Sequence, residues 1–188
     1  SPSAVLGAIA RSALTQDDLQ RYSVPMEHAK VWDAIQTDSP GTAAADDLAI
    51  INGTFLTTAP SLRTSDSKAA TTTQKCRLSV PVPPEYVDGQ TLTLRVKGGM
   101  VTTVSDTTAT VDAEVARRAA PTVDVCATAA QSINSLTAAN KDFTITPTNV
   151  VKGDILDIVL TVAIVDGATG TAVIGEISNV ELLADIKG

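Results

Sequence analysis

The sequence predicts an all-β protein, a sandwich of about eight strands behind an N-terminal arm. Three observations carry that prediction. Apolar and polar residues alternate with a period of two over several long segments. Clusters of Gly, Pro, Asp and Asn separate those segments. Strong helical periodicity is missing after residue 35, which argues against βαβ units and a parallel sheet. Aromatic residues make up only 3% of the chain and hydrophobic residues 44%, so Val, Ile, Leu and Ala must build the core.

The first 22 residues read as an arm, partly helical or extended, and residues 23–188 as the body. Val5, Leu6, Ile9, Leu14 and Leu19 fall three to five apart, as in helical fragments, while Gly7 weakens them. Thr15 before Gln16-Asp17-Asp18 has the composition of a helix start, with acids at the positive end of the dipole. Such an arm either frays or orders on a neighbouring subunit. Trp32, in Lys30-Val31-Trp32-Asp33-Ala34-Ile35, is the largest single anchor and is expected to pin this region onto the sandwich.

In the body, residues 91–97 form the clearest strand: Leu92, Leu94 and Val96 point one way, and Thr93, Arg95 and Lys97 the other. Residues 75–82 repeat the pattern with Cys76, Leu78, Val80 and Val82 inward, and Pro81 marks an edge or a strand end. Residues 108–117 place Ala109, Val111, Ala113 and Val115 inward. Residues 154–165 are apolar on both faces. Leu156, Ile158, Leu160, Val162 and Ile164 line one; Ile155, Val159, Ala163 and Val165 line the other, broken by Asp157 and Thr161. Such a strand is either central or covered by a partner. In residues 171–186 the inward parity switches near Ser178-Asn179, which predicts a β-bulge or break. Shorter strands are expected at 48–55, 123–126 and 142–146, with a weak one at 22–26.

One internal echo refines the architecture. Pro83-Pro84-Glu85-Tyr86-Val87-Asp88-Gly89-Gln90-Thr91-Leu92 and Pro147-Thr148-Asn149-Val150-Val151-Lys152-Gly153-Asp154-Ile155-Leu156 share one frame: Pro ends a strand and Gly, six residues on, turns the chain into the next. Two such corners suit two Greek keys folded together, the pattern of a jelly roll.

Catalytic and metal chemistry find little support. His28 is the one histidine, with no nucleophile motif and no Gly-x-Ser-x-Gly anywhere. Asp17-Asp18 and Asp46-Asp47 are adjacent pairs, which diverge on a strand and do not suit glycoside hydrolysis. Cys76 and Cys126 lack zinc-site spacing; they read as two buried thiols, with a disulfide as the alternative. The Asp106-Thr107-Thr108 and Asp166-Gly167 loops are accounted for by turn formation, with calcium as the weaker alternative. Gly98-Gly99 reads as a turn or bulge and not a phosphate loop. No enzyme activity, metal or cofactor is therefore expected. The net charge of −7 disfavours nucleic acid. No apolar run reaches membrane-spanning length, and no basic segment precedes the small apolar residues at the start, so neither a span nor a secretory leader is expected.

Several stretches resemble small virion proteins of tailed bacteriophages. They are Leu14-Thr15-Gln16-Asp17-Asp18-Leu19-Gln20-Arg21-Tyr22, Val24-Pro25-Met26, Lys30-Val31-Trp32-Asp33-Ala34, Ala45-Asp46-Asp47-Leu48-Ala49-Ile50, Pro84-Glu85-Tyr86-Val87-Asp88-Gly89-Gln90, Asp106-Thr107-Thr108-Ala109-Thr110 and Gly170-Thr171-Ala172-Val173-Ile174-Gly175. The resemblance is to capsid decoration, or cement, proteins. It implies a jelly-roll-like body, a homo-oligomer that is often a trimer, and a place on the exterior of a capsid shell made by a separate major capsid protein, with assembly in the host cytoplasm. It carries over no active-site residue. The surfaces expected to make contacts are the arm and its flank (Val5, Leu6, Ile9, Leu14, Leu19, Tyr22, Trp32) and the second apolar face of residues 154–165 (Ile155, Val159, Val165). The alternatives are a head fibre or tail-associated protein with the same body, and a carbohydrate-binding or adhesive sandwich that stacks sugars on Trp32 or Tyr86.

Overall fold

The computed structural model describes residues 19–186. Within them are eleven strands: β1 (Leu19–Ser23), β2 (Ala49–Ile51), β3 (Ser61–Arg63), β4 (Thr71–Pro81), β5 (Leu92–Met100), β6 (Thr108–Arg117), β7 (Ala120–Asp124), β8 (Gln131–Ser132), β9 (Ala139–Ile145), β10 (Ile155–Val165) and β11 (Gly175–Asp185). One sheet has the order β2-β3-β11-β5-β9, with β1 also on β11; the other has the order β4-β10-β6-β7, with β8 also on β6. All strand pairs are antiparallel.

Eight of these strands, β3 to β7 and β9 to β11, make a jelly roll. The register shows how it arises. Arg117 faces Ala120, Leu94 faces Phe143, Leu78 faces Ile158 and Leu62 faces Ile177. Each pair straddles the same point of the chain, near residues 118 and 119. The body is thus one long antiparallel ribbon, folded back at the β6–β7 turn and rolled so that β3·β11 and β5·β9 fall in one sheet and β4·β10 and β6·β7 in the other.

The two corners of the sequence echo lie on the two strands of this ribbon at one bend. Gly89 and Gly153 both take left-handed φ, 86° and 84°, with open space where a side chain would point. Their neighbours touch: the Lys152 amide donates to Asp88 Oδ1 at 2.8 Å, and Gly153 N–H donates to the Val82 carbonyl at 3.0 Å. Tyr86 packs inside this bend, its hydroxyl donating to the Gln90 carbonyl at 2.8 Å.

The core lies between the sheets, as the period-two pattern requires. Leu156, Ile158, Leu160, Val162 and Ile164 of β10, with Leu78 and Val80 of β4, meet Leu92, Leu94 and Val96 of β5, Phe143 of β9 and Val180 and Leu182 of β11. Each fully buried side chain of this size stabilises the fold by roughly 1.5–3 kcal/mol. Cys76 lies in the core and Cys126 at its margin, both as free thiols. Burial pushes the Cys76 thiol up to about 12, so it packs as a small apolar group.

Several boundaries differ from the sequence reading. Leu19–Ser23 joins the sheet by pairing with β11, so the expected arm boundary at residue 22 falls inside β1. The strand expected at 48–55 stops at Ile51, because Asn52 turns the chain with φ of 65°. The expected strand at 123–126 becomes Ala120–Asp124, and that at 142–146 becomes Ala139–Ile145. The bulge is present: the β11–β5 register shifts between Ile177 and Asn179, opposite Gly98 and Lys97. The irregularities read at Gly98-Gly99 and at Ser178-Asn179 are thus one feature seen from two strands. Pro81 ends β4, the outer strand of its sheet, where a missing N–H costs no ladder bond.

Candidate interaction face

β10 lies between β4 and β6, so one of its faces fills the core and the other lies on the outside of the sheet. The outer face carries Ile155, Asp157, Val159, Thr161, Ala163 and Val165. Register fixes their neighbours. Asp157 lies between Ser79 and Ala116, Val159 between Arg77 and Glu114, and Thr161 between Lys75 and Asp112. The face is therefore basic along β4, mostly apolar along β10 and acidic along β6. Ile155 and Val165 are each 39% exposed at its two ends. A shallow groove of about 250 Å³ runs between β10 and β7, lined by Glu114, Ala116, Pro121, Thr122, Asp157 and Val159.

Asp157 is the polar centre of this face and only 9% exposed. Its Oδ1 accepts from Ser79 Oγ at 2.6 Å and from Arg118 Nη2 at 2.8 Å. Its Oδ2 accepts from Arg77 Nη2 at 2.9 Å and from Arg118 Nε at 3.3 Å. Arg118 sits in the β6–β7 turn, so this carboxylate ties the fold-back point of the ribbon to β10 and β4. Burial alone would raise the carboxyl; the hydrogen bonds from Arg118, Ser79 and Arg77 outweigh it and hold Asp157 at about 2. Its oxygens are occupied by donors, so the group holds geometry and is unsuited to moving protons.

This arrangement sets a pH dependence. A folded-state value below the unfolded one (about 3.9) gives stability that is complete above that unfolded value and is lost as pH falls toward 2. Arg118 is half exposed and partly screened by water, so the expected loss is about 1–2 kcal/mol. Denaturant titrations at pH 5, 4, 3 and 2 are expected to show that decline. Asp157→Asn is expected to make it shallower, leaving the part carried by Asp166, whose carboxyl the Thr169 hydroxyl and three amides also hold at about 2. An unchanged slope in the variant would assign the acid sensitivity to other carboxylates.

The expected contact residues do not form one site. Ile155, Val159 and Val165 share the outer face of β10. Trp32 lies at its rim: the Lys75 ammonium stands 4.7 Å from the indole centroid, and indole Nε1 donates to Asp46 Oδ2 at 2.8 Å. Trp32 thus helps to hold the segment before β2 along the edge of β4, where Lys30 also bridges to Arg77. Leu19 and Tyr22 lie in the other sheet, and Tyr22 packs against the core with its hydroxyl 3.5 Å from Glu85 Oε2. Val5, Leu6, Ile9 and Leu14 lie outside the described residues. Tyr86, one of two rings considered for sugar stacking, is inside the core.

Two features escaped the sequence reading. The cluster of Arg77, Ser79 and Arg118 around Asp157 was signalled only by a lone acid on an apolar strand. Phe55, read as the end of a strand, instead sits on an exposed loop. The Asp106 and Asp166 loops clasp each other through backbone amides. Asp106 accepts from Gly167 and Ala168 N–H, and Asp166 accepts from Ala69, Asp106 and Thr169 N–H and from the Thr169 hydroxyl. Turn formation thus accounts for both, and no group of three or more metal-binding side chains is gathered among the described residues. No helix there is long and apolar enough to cross a membrane.

The fold defines the chain as an eight-stranded jelly roll with three added short strands. No family model matches it, and no curated protein sequence does. Among solved structures it is similar to an arabinose-bound α-L-arabinofuranosidase, MgGH51, with a TM-score of 0.43 and 14% identity over 72% of this chain; the chain spans only 21% of that enzyme's length. It is also similar to the Stig cyclase Fisc from Fischerella sp. TAU, with a TM-score of 0.40 and 12% identity over 90% of this chain and 100% of that one. Similarity this distant carries no argument about activity.

Proposed function

We propose that this chain is a structural virion protein that decorates and stabilises a bacteriophage capsid, binding the outer face of the shell formed by the major capsid protein. The observation that most supports this reading is the outer face of β10, where Ile155, Val159 and Val165 flank a fully engaged Asp157. Such a face is stiff, apolar in its middle and charged on both flanks, which suits contact with another protein surface. The resemblance of residues 14–34 and the later stretches to virion proteins supplies the particular partner. The chain acts as a homo-oligomer, expected to be a trimer, and needs no cofactor. Many weak contacts on one shell add through avidity.

Co-sedimentation with capsids lacking this protein tests the reading. The full chain is expected to pellet with capsids and to add density outside the shell in electron micrographs. The Ile155→Glu, Val159→Glu double variant is expected to bind about tenfold or more weakly while melting as the parent does. A full chain that stays in the supernatant would remove the proposal.

A further inference from the structure

The β2–β3 loop carries the most exposed large apolar side chains among the described residues: Phe55 is 87% exposed and Leu56 92%. They stand side by side on a segment, residues 52–60, that contains no charged residue. The loop is built to present them. Leu56 takes a left-handed φ of 61°, which a γ-branched L-residue rarely adopts. Thr54 closes the turn beneath it: its carbonyl accepts from Thr57 N–H at 2.9 Å and Thr58 N–H at 3.0 Å, and its own N–H donates to Thr58 Oγ1 at 3.1 Å. Asn52 Nδ2 donates to Ser61 Oγ at 3.3 Å across the loop's foot. A strained, internally bonded tip that holds an aromatic and an aliphatic side chain in water is preorganised for burial elsewhere.

The same hairpin carries a socket. Along its β2 side lies a cleft of about 380 Å³, lined by Ala43, Ala49, Ile51, Thr64 and Ile174 with Arg63 and Asp66 at its wall. That volume is in the lower part of the range, about 300–1,000 Å³, in which proteins enclose small ligands. Its charges are already engaged: Arg63 Nε donates to Glu176 Oε2 at 2.5 Å, and Asp66 Oδ1 accepts from Lys68 and Val173 N–H. Filling the cleft with apolar side chains therefore strands no charge. The cleft reaches Ile51 at the loop's foot, yet Phe55 and Leu56 point into water and leave their own cleft unfilled.

We infer that Phe55 and Leu56 of one copy insert into the cleft beside β2 of a second copy, and that this contact drives self-association. The neutral tip makes no charge conflict with a partner that also carries −7. Tip and cleft are different patches, so two copies can exchange them reciprocally about a two-fold axis, or several can pass them head-to-tail around a ring. The inference rests on the reading of this chain as a self-assembling structural protein.

Light scattering on the full chain over a concentration series tests it. Parent protein is expected to associate, and Phe55→Ser with Leu56→Ser to associate about tenfold or more weakly at an unchanged melting temperature. Thr42→Trp, which fills the cleft from its exposed rim, is expected to do the same. Mixing the tip variant with the cleft variant is expected to restore one contact per pair and yield mixed dimers. A monomeric parent, a tip variant that associates as the parent does, or a cleft variant with no effect would each overturn the inference. Capsid co-sedimentation separates the two readings. A chain that associates through the tip but ignores capsids would remove the decoration role alone; capsid binding by oligomers indifferent to the tip would remove the socket alone.

Discussion

Replacing Asp157 with alanine is expected to lower stability by about 3 kcal/mol, the effect of leaving two guanidinium groups and a hydroxyl without their shared acceptor. Arg77 and Arg118 converge on one carboxylate that is nearly closed off from water. Removing that carboxylate keeps their desolvation and discards their compensation. The half-exposed Arg118 can turn outward, which holds the cost below that of a fully enclosed pair. For a chain of this size about 3 kcal/mol corresponds to roughly 6–12 °C in melting temperature. Asp157→Asn keeps the shape and part of the hydrogen bonding and is expected to cost about half as much. Calorimetry on both variants checks the ordering. Equal, small losses would show that the cluster contributes no more than an ordinary surface ion pair, and the tie between the ribbon's turn and β10 would lose its energetic meaning.

Gly99→Val is expected to be comparably damaging, at about 3 kcal/mol, for a steric reason alone. A Cβ at Gly99 would sit 2.9 Å from Ala138 Cα, 3.1 Å from Ala138 N and 3.1 Å from the Ser135 carbonyl oxygen. All three are backbone atoms, so no rotamer change relieves them. The segment before β9 must move away, and with it the Met100 N–H bond to the Ser135 carbonyl. Gly41→Val is the control: a Cβ at Gly41 would meet nothing within 4 Å, and the residue is exposed. Urea unfolding of the two variants is expected to separate them by most of the ~3 kcal/mol. Similar midpoints would mean that the 135–138 segment yields freely and that close approach at Gly99 is not required.

Much of the sandwich is visible in the residues themselves. Leu92, Leu94 and Val96 alternate with Thr93, Arg95 and Lys97, and the first three are the buried ones. Successive side chains of a strand point to opposite faces, so burial of one face writes a period of two into the chain. The parity switch at Ser178-Asn179 is legible for the same reason: one extra residue moves every later side chain to the other face. The Pro-to-Gly corners are legible because left-handed φ at Gly89 and Gly153 demands a particular residue type.

The contact features were less legible. Asp157 shows in sequence as an acid on an apolar strand, but its partners lie at Arg77, Ser79 and Arg118, some 40 to 80 residues away. Phe55 reads as the next apolar residue of a strand, and only the left-handed turn at Asn52 sends it into solvent. Leu19 and Tyr22 read as arm and are sheet, because β11 offers an open side to which β1 adds.

Which residues face inward and where the Pro-to-Gly corners bend the ribbon are written in the amino-acid sequence, since each depends on local sterics and on alternation along one segment. Which strands lie side by side, what surrounds Asp157 and which apolar side chains remain in water are set by tertiary closure of the ribbon about residues 118 and 119. A one-residue difference in that closure re-pairs groups far apart in the chain while leaving every local pattern unchanged.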